Sequence, residues 1–457
     1  MENESTFPEP QAAIAIPAAD NTVSEPDTHD NAVSSAVPWS WTKKVAFRFA
    51  LVYFVLYAFP FPIGVLPFTE TLGSYYDLPW RVIASWVARH LLHLSYPLSF
   101  APTGSGDTTY SWVLNLIYLV LAIAGCVIWS VLDRKRRNYD RLHNWLRLYV
   151  RVYVGAIMMS YGAYKVIQSQ FPPPPLSRLV QPYGESSPMG LLWTFMGNSY
   201  TYNLFTGGAE IVGGALLLIP PLATLGALIT IAVMGNVFIL NMSYDVPVKL
   251  FSFNAIVMAA FIALPDAGRL LNVFVLNEPT QPAPPRPLFQ RVRLNDAMRW
   301  LQLLLLVVFL SFSLFQSWQQ FISFRTAAVP SEIRGIWTVH DFTFDGQPRP
   351  PSMSDARRWQ RVIFEYTRSV GVQFMDAPFE RYGMQLDPTH RDLKLVARDD
   401  PNWKGHLNYE LPEPQLMLLK GELDGHQVEM KLQRKDLSEF RLLNRGFHWI
   451  SEAPFNR

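Results

Sequence analysis

From Lys43 to about Arg325 the chain is a series of long apolar runs separated by short polar or basic loops; after Val329 the runs shorten and begin to alternate. A helix needs about 20 mostly apolar residues to cross a hydrocarbon layer ~30 Å thick, because every backbone N–H and C=O must be satisfied inside the segment. Val45–Val65, Trp112–Leu132, Leu146–Ile167, Leu222–Leu240 and Ala297–Trp318 meet that requirement. Tyr202–Ile219 and Phe251–Pro265 are shorter, and Pro220 and Pro221 supply a turn after the first of them. The pattern predicts an α-helical polytopic membrane bundle of about seven spans. Between the first two spans, Trp80, Ile83, Val87, Leu91 and Leu94 recur at helical spacing opposite Arg81, Ser85, Arg89 and His93, as in a helix lying at the membrane interface. Phe171–Pro175 reads as a stiff external turn.

Beyond Val329 the alternation predicts strands over Gly335–Phe342, Arg361–Tyr366, Gly371–Met375, Leu393–Arg398, His406–Leu411, Gln415–Lys420, Gln427–Gln433 and Phe440–Asn444. Asp345-Gly346 and Asp424-Gly425 are hairpin signals, since both turn positions need a positive φ. Eight such strands fit an all-β domain folded as a small up-and-down barrel, whose closure removes exposed strand edges. Gly335 and Trp337 resemble the Gly-x-Trp opening of lipocalin-type barrels, which implies that Trp337 plugs one barrel end. Two contents of the barrel stand side by side: its own side chains, or an apolar ligand such as a lipid or quinone tail.

Composition divides the chain between two solvents, for 49% hydrophobic and 17% charged residues are averages over an apolar and a polar part. Residues 1–40 form an acidic tail, with Glu2, Glu4, Glu9, Asp20, Glu25, Asp27 and Asp30 and no Lys or Arg, and disorder is expected there. The other expected units are 41–145, two spans with the interfacial helix; 146–270, a four-span core; 271–328, a loop and the last span; and 329–457, the β domain. A net charge of +2, without a basic face, argues against nucleic acid. Cys126 is the only cysteine, which excludes an intrachain disulfide, and nothing here has a haem or iron–sulfur signature. Lys43 and Lys44, Arg134–Arg137, and Arg269, Arg286, Arg291 and Arg293 fall on one side of seven crossings, which the positive-inside rule makes cytoplasmic. The N-terminus is then cytoplasmic and the β domain outside.

Charged groups at membrane depth cost about 2.5 kcal/mol or more on insertion scales, so each needs a reason. Arg48, Arg147 and Lys249 lie within a turn or two of span ends, from which long side chains can reach the interface. Glu210 is different. It sits in Gly207-Gly208-Ala209-Glu210-Ile211-Val212-Gly213-Gly214, where small residues admit a second helix and a cation, Lys165 or Arg151, to pair with the carboxylate. Asn236, Asn241, Asp245 and Asn254 could line a polar path or act as hydrogen-bonding links between helices. His90 and His93 are near enough on one helix to share a metal, although without a nearby acid the plainer reading is two interfacial polar residues.

Arg151-x-x-x-Gly155, Tyr161-Gly162-Ala163-Tyr164-Lys165 and Glu210-x-x-Gly213-Gly214, followed by a Leu-rich run, make the stretch from Arg147 to Arg269 resemble the DoxX family of four-span bacterial membrane proteins. Arg445-Gly446-Phe447-His448-Trp449-Ile450 is similar to the tail of larger proteins of that family. The resemblance implies a bacterial inner-membrane location, quinone-linked redox work and a partner subunit. Three functions are left open: a non-enzymatic envelope protein presenting a lipid- or protein-binding β domain, a quinone-linked redox component, and a small-molecule transporter.

Overall fold

A computed structural model describes residues 38–63, 69–283, 286–375, 379–397, 399–400 and 402–456. Most of the expected acidic tail lies outside them. The chain begins with α1 (Trp41–Ala58), α2 (Glu70–His90), α3 (Thr109–Leu132), α4 (Asp140–Val166), α5 (Leu176–Val180), α6 (Pro188–Asn198), α7 (Tyr200–Leu218), α8 (Ala223–Ser243), α9 (Lys249–Ala263), α10 (Ala267–Leu271) and α11 (Val292–Thr326). Among the described residues, four helical stretches are long and apolar enough to cross a membrane: Thr109–Leu132, Pro220–Ser243, Lys249–Leu276 and Val292–Thr326. The 35 residues of α11 give it a length of about 52 Å at ~1.5 Å per residue, well beyond a ~30 Å apolar layer.

Local chemistry sets the helix ends. Thr108 accepts from Ser111 N and Ser199 from Tyr202 N, each satisfying a donor that a helix start leaves free. Asp107 does this for a different helix, accepting from Lys249 N at 2.7 Å and Leu250 N at 3.0 Å and so tying the start of α3 to that of α9. Pro220 and Pro221 turn the chain between α7 and α8, as their sequence suggests.

α4 is the central helix, packed against α7 and also touching α1, α9 and α11. Its glycines explain the closeness to α7. A Cβ on Gly162 would lie 2.5 Å from Gly207 O, and one on Gly214 would lie 2.7 Å from Gly155 O. These two glycine pairs fix an antiparallel register. Gly213 instead faces Ile229 and Thr230 of α8, and Gly208 faces open space, so the four glycines around Glu210 serve three different surroundings.

α2 is shorter than the stripe expected of the interfacial helix. α2 packs on α3 through Ala84 and Ala88, with Trp80 and Val87 beside them, while Ile83 is exposed. It ends at His90, so Leu91, Leu94 and His93 lie beyond it.

The β domain comprises β1 (Gly335–Phe344), β2 (Gln347–Pro348), β3 (Trp359–Tyr366), β4 (Ser369–Phe374), β5 (Phe379–Asp387), β6 (Asp392–Val396), β7 (Lys404–Glu413), β8 (Leu416–Leu423) and β9 (His426–Arg434), followed by α12 (Arg441–Asn444). All neighbours are antiparallel, and β9 pairs back onto β1 from Arg434↔Trp337 to Val428↔Phe344, closing an eight-stranded barrel with β2 as a short flap. Both Asp-Gly turns have the positive φ that they need: 49° and 75° at Asp345-Gly346, 50° and 82° at Asp424-Gly425. Two expectations are corrected. Phe440–Asn444 is a short helical stretch ending in α12, because the closed barrel leaves no edge for a further strand. The unforeseen β5 buries Tyr382 and Met384 across an alternation that Gly383 and the charged Glu380 and Arg381 obscure.

The barrel is filled by its own side chains, with Trp337, Val339, Phe342, Phe364, Met417, Leu419 and Leu432 among its buried core. Trp337 lies near the end where β1 begins. It is fully buried, it donates Nε1–H to Ile333 O at 2.8 Å, and the Arg434 guanidinium covers its ring at 5.3 Å. Outside the barrel, Ile336 and Ile363 are buried against Leu176 of α5, whose N–H donates to Glu365 Oε1 at 3.1 Å. Burial pushes the Glu365 carboxyl above its usual range, and the Leu176 N–H partly offsets this by stabilising the ionised form.

Because its core is complete without the helices, the segment 329–456 is expected to fold alone. Circular dichroism should show a β spectrum that is lost in one cooperative melt. A random-coil spectrum would mean that α5 and α11 are needed to form the barrel.

Candidate functional site

Glu210 is 1% exposed and Lys165 6%, and Lys165 Nζ donates to Glu210 Oε1 in a buried ion pair between α4 and α7. Sequence left Lys165 and Arg151 as alternative partners. The glycine pairs place Glu210, between Gly207 and Gly214, opposite the stretch of α4 between Gly162 and Gly155. Side chains lean toward a helix's N-terminus. On antiparallel helices, Lys165 and Glu210 therefore lean toward each other, whereas Arg151 leans away. Arg151 donates Nε–H to Leu217 O at 2.7 Å instead, and its Nη2 is buried without a partner among the described residues.

The ion pair lies on the wall of a cavity of about 590 Å³, within the ~300–1,000 Å³ usual for small-molecule sites. α4 contributes Tyr161 and Lys165; α7 contributes Tyr202, Phe205, Thr206, Ala209 and Glu210; α8 contributes residues from Ala232 to Asn241; and α9 contributes Phe251 and Ser252. α6 closes one side with Met189, Leu192, Trp193 and Met196, held down on Phe171 and Val246. Tyr161 stacks on Phe251 at 5.4 Å, and Asn203 ties α7 to α6 by donating to Met196 O at 2.9 Å.

Most of the lining is apolar, yet two oxygens in it lack partners. Glu210 Oε2 and Gln170 Oε1 are buried with no hydrogen bond among the described residues. A buried acceptor left unmade costs ~1–3 kcal/mol, more for a charged group, so a donor from a bound molecule would recover that free energy. Lys165 Nζ has three N–H groups, and the bond to Glu210 is the one found for it among the described residues. The cavity wall thus holds a buried ion pair with one unsatisfied carboxylate oxygen among apolar side chains.

No family model and no solved structure matches the chain. A stretch of 133 residues is 32% identical to the uncharacterized protein YwoB of Bacillus subtilis, covering 27% of this chain and 79% of that protein. The chain belongs to the same family as YwoB. YwoB's name states no activity, so the kinship leaves function to be argued from the site.

In this relative of YwoB, the other candidate residues are engaged elsewhere. Asn241 donates to Ser252 Oγ at 3.1 Å, Asn254 accepts from Tyr53 OH at 2.6 Å, and Asp245 pairs with Lys249 at 2.8 Å, which leaves Asn236 beside the cavity. His90 Nδ1 lies 3.0 Å from Trp86 O, while His93 falls past the end of α2 at a φ of 53°. The two histidines therefore do not share a helical face, and among the described residues no three metal-ligating side chains gather anywhere.

Sequence reasoning missed Gln170 and the aromatic closure by α6. It also missed a second ionic cluster, in which the buried Asp266 meets Arg286 at 3.0 Å, Arg269 at 3.3 Å, Arg147 at 3.5 Å and Thr224 Oγ1 at 2.6 Å. The signal was present: an acid directly ends an apolar helix, with three arginines within reach of one loop.

Proposed function

We propose that this is a seven-span membrane protein whose helical bundle binds an amphiphile with an oxygen-bearing head group, of the quinone class that the DoxX resemblance implies. α1, α3, α4, α7, α8, α9 and α11 are the crossings. The Asp266 cluster links the N-terminal parts of α4 and α8 to the end of α9 on the side assigned to the cytoplasm, and Asp107 links the starts of α3 and α9 on the other. That sorting of helix termini agrees with seven crossings, the positive-inside rule would put the barrel outside, and the DoxX resemblance implies the bacterial inner membrane.

Glu210 carries the proposal, because its Oε2 is buried without a partner in the wall of an apolar chamber, beside a lysine whose one bond found among the described residues is to Glu210. Lys165 would donate to a carbonyl oxygen of the head group, and Glu210 would accept from a hydroxyl. A bound quinone would supply two-electron, two-proton redox chemistry; the residues described here hold and orient it. With the barrel interior filled by side chains, the ligand reading belongs to the helices, and the barrel holds α5 in place next to α6.

Protein purified in mild detergent should release near-stoichiometric quinone, identified by mass spectrometry of extracted lipids. Lys165→Met should carry about tenfold less, the effect of losing ~1.4 kcal/mol of binding. A wild-type preparation without any stoichiometric head-grouped amphiphile would overturn the proposal.

A further inference from the structure

The cavity has a wall that is incomplete. α7 and α8 are pressed together near their connecting turn, where a Cβ on Gly226 would lie 2.6 Å from Leu217 N and one on Gly213 would lie 3.2 Å from Thr230 Oγ1. Farther from the turn the cavity opens a splay between the two helices, lined by Phe205, Ala209 and Glu210 of α7 and by Ala232, Val233 and Asn236 of α8, with Glu210 about one helical turn beyond the tight contact at Gly213.

Three residues of the cavity wall reach the outer surface at the splay: Phe205 is 71% exposed, and Ala232 and Asn236 are exposed as well. Asn236 belongs to one of the membrane-length helices. An amide there is costly unless it is hydrogen-bonded, and the Asn236 side chain makes no hydrogen bond among the described residues. The opposite wall is better closed, because Asn241 joins α8 to Ser252 of α9 and Asn203 joins α7 to α6.

We infer that the ligand enters sideways from the bilayer, through the splay between α7 and α8, and is an amphiphile with a flexible apolar tail. Its head lies at Lys165 and Glu210, and its tail leaves over Phe205 and Ala232. Asn236 stands at the mouth, where it can hydrogen-bond the polar head on its way in. A ligand arriving from water would have to pass α6 and the 246–248 loop, which are packed together through Leu192, Met196 and Val246.

This inference rests on the proposed ligand site, and one labelling experiment separates the two. Full-length protein in lipid nanodiscs is mixed with a benzoquinone bearing a decyl chain with a mid-chain diazirine, irradiated, and mapped by mass spectrometry. Adducts at Phe205, Ala232 or Asn236, reduced about tenfold by excess of the same quinone head without its chain, are the expected result. Adducts equally competed but found on Met189, Trp193 or the 246–248 loop would overturn the sideways entrance and leave the site standing. Labelling that the free head group does not reduce would overturn both.

Discussion

Glu210→Gln is expected to destabilise the detergent-solubilised protein by about 3 kcal/mol, near the lower end for breaking a buried ion pair. The carboxamide leaves Lys165 charged in a site where it is 6% exposed, with one bond fewer to a formal negative charge. Replacing Lys165 alone by Met should cost about as much, since the carboxylate is then buried unpaired. Together the two changes should cost clearly less than the sum, because neither remaining group is an uncompensated ion. The double variant also distinguishes structure from function: it should melt near the wild type and still fail to retain quinone. Strictly additive losses in thermal or denaturant unfolding would show that the two side chains are not energetically coupled.

Gly162→Ala should cost ~1–3 kcal/mol, the usual price of overpacking. The added Cβ would lie 2.5 Å from Gly207 O, 2.7 Å from Ile211 Cγ1 and 2.9 Å from Ile211 N. Two of those atoms are backbone, so relief requires α4 and α7 to separate, and separation draws Lys165 away from Glu210. Gly208→Ala is the matching control, next to Gly207 but on α7's open side, where nothing lies within 4 Å. There the methyl group should leave stability unchanged or raise it by up to ~1 kcal/mol, the helix-propensity difference. Equal losses at both positions would mean that α4 and α7 do not approach as closely as their glycines indicate.

The sequence by itself determined the local features. Apolar runs, Asp-Gly turns and alternating strands depend on nearest neighbours and solvent, which is why the long apolar helices and the closed barrel could be foreseen. That Glu210 needs a buried cation was equally legible, because the cost of a carboxylate in an apolar run does not depend on what packs against it. β5 was obscured by its glycine and charges, and Phe440–Asn444 alternates without finding an edge to join.

Only the tertiary structure decided what Glu210 meets. Lys165 and Arg151 both lie on α4, and the choice between them follows from the antiparallel register set by Gly155–Gly214 and Gly162–Gly207, with the lean of side chains toward each helix's N-terminus. Gly207, Gly208, Gly213 and Gly214 read alike in sequence, yet they face α4, open space, α8 and α4 in turn. The walls of the cavity come from five separate helices, α4, α6, α7, α8 and α9, a relation between distant backbones that no local pattern encodes.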